Sequence, residues 1–75
     1  MNDAIKTAIA LVGTQRKLGV ECGLSQQAVN KWLHNKAKVS PEYVHLIIKA
    51  TKGMVKGYQI RPDLPELFPH PEQTV

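Results

Sequence analysis

Several things are scarce in this 75-residue chain, and each scarcity excludes something. It holds one cysteine, Cys22, so no internal disulfide can form, and a reducing cytoplasm suits it best. One tryptophan, two tyrosines and one phenylalanine are too few to supply the exposed stacking sheet of a typical RNA-binding module. No apolar run approaches the ~20 residues of a membrane span, and Asp3 without a basic cluster argues against a secretory signal at the N-terminus. His34, His45 and His70 are widely spaced, which suggests neither a metal cluster nor a Cys–His nucleophile. A phosphate-binding glycine loop, an internal repeat and a low-complexity tract are also missing. Seventy-five residues build one small core, with little room for an ordinary enzyme cleft, and we expect neither catalysis nor a cofactor.

Charge is abundant but uneven. Residues 1–61 carry all ten basic and three acidic side chains, an excess of seven positive charges, whereas residues 62–75 carry three acids and no base. A basic folded part favours a polyanionic partner, although charge alone is weak evidence.

Apolar periodicity then divides the chain into helices. Ile5, Ala8, Ile9 and Val12 recur at helical spacing after Asn2-Asp3, which offer an N-cap and a favourable first-turn charge, and Gly13 ends the run. Thr14 can cap a second helix that reaches Cys22, with Leu18 and Cys22 facing inward and Gly23 as the left-handed stop. Gly19 inside that helix costs roughly 0.5–1 kcal/mol relative to alanine, which suggests close helix contact, with drift at a tolerant position as the plain alternative. Ser25 can cap a third helix over residues 26–34, and Ser40-Pro41 can open a fourth with a stripe of Tyr43, Val44, Ile47 and Ile48. Leu46 and Ala50 widen that stripe to about 200°, so the helix should be covered on more than one side, by the C-terminal segment or by a second subunit. From Gly53 onward prolines 62, 65, 69 and 71 exclude a long helix, and extended chain is expected. Val55, Tyr58, Ile60, Leu64, Leu67 and Phe68 should pack back over the helices, leaving residues 69–75 as a flexible tail.

The third helix carries the chemistry. At ~100° per residue, Gln26, Gln27, Asn30, Lys31 and His34 share one arc, and Ala28, Val29, Trp32 and Leu33 the opposite one. A polar face on a surface helix is the ordinary solvated condition, but this one has no acid and is rich in amides. Gln and Asn can bond N6 and N7 of adenine together, a pair that supplies about 1–3 kcal/mol of discrimination. Short helices joined at Cys22-Gly23-Leu24-Ser25 form a helix-turn-helix, whose second helix enters the major groove of DNA. Candidate base contacts are therefore Gln26, Gln27, Asn30, Lys31 and His34. Arg16, Lys17, Lys36 and Lys38 flank them as candidate backbone contacts, joined by Ser25 at the positive end of the helix dipole. Ordinary solvation is the rival reading for each lysine and arginine. Trp32, in the apolar arc, belongs to the core rather than to a stacking site.

These residues resemble known families. Gly13-Thr14-Gln15-Arg16 and Ala28-Val29-Asn30-Lys31-Trp32 are similar to the small Cro repressors of lambdoid phages. Thr51-Lys52-Gly53 and Ile60-Arg61-Pro62-Asp63-Leu64 are similar to the Cro-like YdaS antitoxin family. The resemblance implies a mainly α, four- to five-helix lambda-repressor-like domain over residues 1–68, with the extended C-terminal segment expected above. It also implies a phage or prophage repressor that binds operator DNA, usually as a homodimer, in the bacterial cytoplasm and on the nucleoid when bound. By the same match Gln15 braces Gln26 and joins the backbone contacts, while Gln27 and Lys31 are the principal base readers. Gly19 departs from the alanine common at that position, and no hairpin follows the fourth helix. The alternative is an antitoxin that neutralises a protein toxin through the fourth helix or the tail.

Overall fold

The computed structural model describes residues 1–70, which form five helices: α1 (Asp3–Val12), α2 (Gln15–Cys22), α3 (Gln26–Leu33), α4 (Pro41–Ala50) and α5 (Gly57–Ile60). Among the described residues there is no strand, and no helix is long and apolar enough to cross a membrane. Local signals set the first three helices. The Asn2 side chain accepts a hydrogen bond from the Ile5 N–H at 3.2 Å, Thr14 accepts from Lys17 at 3.0 Å, and Ser25 from Ala28 at a longer 3.3 Å. Each satisfies one of the donors that a helix start leaves free. Ser40 occupies the equivalent position before α4 but makes no such bond; Pro41, lacking an N–H, begins that helix.

A single core holds the helices together. Ile5 and Ala8 of α1, Leu18 and Cys22 of α2, Val29, Trp32 and Leu33 of α3, and Val44 and Ile47 of α4 are all buried in it. Removing a large aliphatic side chain of this kind from water contributes about 1.5–3 kcal/mol, against about 1 kcal/mol for a typical cap. α2 packs against α1, α3 and α4 and is the central element. Trp32 is buried as expected, its ring 6.0 Å from that of Tyr43.

The C-terminal segment departs from the extended form expected of it. Residues 57–60 form a helical turn, begun by the Lys56 N–H donating to Gln59 Oε1 at 2.8 Å, and residues 61–67 continue in turns. Prolines exclude a long helix but leave room for one turn that ends before Pro62. The segment does pack back: Val55, Ile60 and Phe68 join the core, with Tyr58 and Leu64 partly buried against it. Phe68 lies beside His45 of α4, ring centroids 5.7 Å apart, so the C-terminal segment itself covers part of the broad α4 face. Leu67, expected to pack, is 59 % exposed because the turn at 65–67 directs it outward. The tail assigned to residues 69–75 lies outside the described residues from 71 onward; within it, His70 sits 5.0 Å from the Tyr58 ring.

Thr51 is the one buried polar side chain in the described core. It ends α4 by donating its hydroxyl toward the carbonyls of Ile47 and Ile48, at 3.0 and 3.1 Å, and accepting from the Val55 N–H at 3.3 Å. Lys52 and Gly53 follow in left-handed conformation, φ 55° and 80°, and turn the chain back across the helices.

Candidate nucleic-acid interface

The turn between α2 and α3 is built by backbone chemistry. Gly23 takes a left-handed conformation, φ 70°, and its N–H donates to the Val20 carbonyl at 3.1 Å while the Leu24 N–H donates to the Gly19 carbonyl at 2.8 Å. That pair of bonds is a Schellman closure, which fills the carbonyls left free at a helix end. The returning chain passes close over Gly19: a Cβ there would stand 2.8 Å from the Leu24 carbonyl oxygen and 3.1 Å from that of Ser25. The close contact expected at Gly19 is therefore with the turn backbone rather than with a neighbouring helix, which explains the absence of alanine here.

α3 is fixed at both ends and along one side. Ser25 caps its start, the Asn2 N–H donates to the Leu33 carbonyl at 2.8 Å, and Val29, Trp32 and Leu33 anchor its inner face. Its outer face is available. Gln26, Gln27, Lys31 and His34 are exposed, and Asn30 is half-buried. Gln26, Gln27, Asn30 and Lys31 thus share α3, while His34, expected inside the helix, is the residue that ends it; of these, Asn30 is engaged, its side-chain N–H donating to Gln15 Oε1 at 3.3 Å. Gln15 accordingly braces Asn30, where the family resemblance implied Gln26. The reason is geometric. Gln15 opens α2, and where α2 packs on α3 its half-buried side chain meets the second turn of α3 rather than its first residue.

The flanking residues also find their places. Arg16 and Lys17 are exposed at the start of α2, and Ser25 is exposed with its hydroxyl hydrogen free to donate while its oxygen accepts from Ala28. Asn35, left-handed at φ 59°, ends α3, and the Lys36 N–H returns to the Lys31 carbonyl at 2.8 Å. Lys36 and Lys38 are thereby held immediately beyond the helix, both exposed. Asparagine tolerates this backbone conformation better than most residues, so the bend was signalled by the residue type.

Two residues that the pattern reading assigned no role meet the loop that follows α3. Arg61 donates from Nη1 to the Val39 carbonyl at 2.7 Å, and from Nε and Nη2 to the two Asp63 carboxylate oxygens at 2.9 Å each. Asp63 Oδ2 also lies 3.3 Å from Lys38 Nζ. Hydrogen bonding from Arg61 holds the Asp63 carboxyl well below the usual carboxylate range, with Lys38 adding to the effect. The acids of the C-terminal stretch are thus not all remote from the basic surface. Cys22, buried, has its thiol pushed up in pKa by burial and then by Glu21, which suits packing rather than reactivity. No group of three or more His, Cys, Asp or Glu side chains among the described residues is arranged to hold a metal.

A helix-turn-helix domain with an amide-rich, acid-free face on its second helix is the class of protein defined by this arrangement. The family described as "Bacterial toxin YdaS" matches residues 5–67, and the chain belongs to that family. One similar protein is named "Putative transcriptional regulator YdaS", from Escherichia coli (strain K12), 33% identical over 63 residues. That match covers 84% of this chain and 64% of the relative, so the chain spans less than two thirds of that protein's length. The family description reads toxin, where the residue-level resemblance is to YdaS antitoxins. No solved structure matches at a significant level.

Proposed function

We propose that this protein is a sequence-specific double-stranded DNA-binding transcriptional regulator that represses by occupying operator DNA and excluding polymerase. The observation that carries the reading is the outer face of α3, where Gln26, Gln27, Lys31 and His34 are exposed without an acid among them on a helix anchored at both ends. α3 enters the major groove, with Gln27 and Lys31 as the main base readers and Gln26, Asn30 and His34 beside them. Arg16, Lys17, Ser25, Lys36 and Lys38 meet phosphates and fix orientation, and Gln15 acts through Asn30. The name of the E. coli relative supports regulation as the broad role. A homodimer on an inverted repeat, a phage or prophage origin, and action in the bacterial cytoplasm complete the reading.

The test is a titration of wild type and Gln27→Ala against operator and scrambled duplexes, the operator being found by footprinting the DNA that flanks the gene. Gln27→Ala should lose about 1–3 kcal/mol on operator and little on scrambled DNA. Equal losses on both would remove Gln27 from the base readers. Protected half-sites should lie one helical turn apart, about 34–36 Å, and a lone asymmetric site at saturation would refute the dimer.

The toxin description of the family favours a second reading, in which the chain acts on a protein partner. Copurification of a stoichiometric protein partner in the absence of DNA, with no duplex binding, would support it over repression.

A further inference from the structure

Asp63 sets a carboxylate oxygen 3.3 Å from the ammonium of Lys38, one of the proposed backbone contacts. Its carboxylate is held from behind by both Nε and Nη2 of Arg61, and Arg61 is itself tied to the carbonyl of buried Val39, so the acid is fixed relative to the loop that follows α3. Oδ2 then faces Lys38 Nζ at 3.3 Å, with the lysine side chain 76% and the aspartate 44% exposed. Arg61 is 14% exposed in its side chain and has its donors directed at Asp63 and Val39, so it is not presented to a backbone phosphate.

We propose that Asp63 is a built-in phosphate mimic: it occupies the Lys38 ammonium in the free protein and lowers affinity for every duplex by competing with the DNA backbone. The inference rests on the DNA-binding reading above and names a device within that site. Its physical basis is charge. Lys38, Arg61 and Asp63 together carry one net positive charge, and removing the carboxylate charge raises it to two, of which the exposed Lys38 ammonium is the one that can reach a phosphate. Each phosphate neutralised by a free cation steepens the dependence of log affinity on log salt by about 0.9. An exposed ion pair is worth little in water, so the effect on affinity is modest and largest at low salt.

The device predicts a dependence between two residues. Asp63→Asn should tighten binding to scrambled and operator duplexes alike, by about two- to fivefold at low salt, and steepen the salt slope by up to about one unit. In a Lys38→Ala background the same change should do almost nothing. Lys38→Ala alone should cost less affinity than Lys36→Ala at low salt, by up to the same two- to fivefold, since Lys38 is already engaged.

Four proteins, namely wild type, Asp63→Asn, Lys38→Ala and the double variant, are titrated with fluorescein-labelled duplex at several salt concentrations, with Glu66→Gln as a control for removal of an exposed acid elsewhere. An Asp63→Asn gain that exceeds the Glu66→Gln gain and vanishes without Lys38 supports the mimic. A gain that persists without Lys38, or equals the control, overturns it. Should Asp63→Asn disturb the Arg61 clamp, seen as a large fall in melting temperature, the comparison of the two exposed lysines decides instead: equal losses for Lys38→Ala and Lys36→Ala overturn the proposal. If wild type binds no duplex at low salt, the proposed function fails and this inference with it, an outcome distinct from loss of the Asp63 effect alone.

Discussion

Replacing Gly19 by alanine tests the account of the turn most directly, because two principles give opposite signs. Glycine in a helix interior costs roughly 0.5–1 kcal/mol relative to alanine, so propensity alone makes the variant more stable. Packing says otherwise. The new Cβ would stand 2.8 Å from the Leu24 carbonyl oxygen, with the Ser25 carbonyl oxygen and carbon at 3.1 and 3.2 Å, and these are backbone atoms that no rotamer change can withdraw. Overpacking that forces a backbone shift costs about 1–3 kcal/mol, so after the propensity gain the variant should lose about 1 kcal/mol. For a domain of this size that lowers the melting temperature by about 4–8 °C. The shift would fall on Leu24 and Ser25, which close α2 and cap α3, so the outer face of α3 should also move. Thermal melts by circular dichroism read the first effect, and amide chemical shifts of residues 24–30 the second. A Gly19→Ala protein that melts higher than wild type with unmoved shifts at Leu24 and Ser25 would refute the close approach.

Three further outcomes follow from other contacts. Thr51→Val keeps the shape of the side chain but leaves the Val55 N–H without its acceptor, and Val55 is 1% exposed; a loss of about 1–3 kcal/mol in urea denaturation is expected, and an unchanged midpoint would show that the bond is dispensable. Phe68→Ala should cost about 3–5 kcal/mol, since the ring is buried against His45 and beside Gly57; a melt within one degree of wild type would show that the C-terminal turns do not hold the fold. Asp63 has its folded pKa depressed below the unfolded value, so its contribution to stability is present above about pH 4 and is lost as pH falls through the carboxylate range and below. The Asp63 side-chain carbonyl shift in NMR should remain that of a carboxylate at pH 3, below the ~3.9 of an ordinary aspartate, and a titration midpoint at that ordinary value would refute the Arg61 clamp.

Local chemistry made most of the helical framework legible. Asn2, Thr14 and Ser25 as caps, Pro41 as a helix opener, Gly13 and Gly23 as stops, and the two faces of α3 all follow from spacings of three or four residues, over which a backbone and a side chain necessarily meet. The burial of Trp32 and the exposure of Gln26, Gln27 and Lys31 follow from the same periodicity. Other features were decided elsewhere. The partner of Gln15 is 15 residues away, the carbonyl that receives Arg61 is 22 residues away, and Lys38 meets an acid 25 residues on. The short α5 and the outward turn of Leu67 likewise depend on how the last segment settles over α4. Spacing along a chain fixes which side chains share a face, but distant segments acquire a mutual position only when the core closes. So the amide-rich face was written in the sequence, whereas the bracing of Asn30 and the acid set against Lys38 exist only because packing set α2 against α3 and brought the C-terminal turn to the loop after α3.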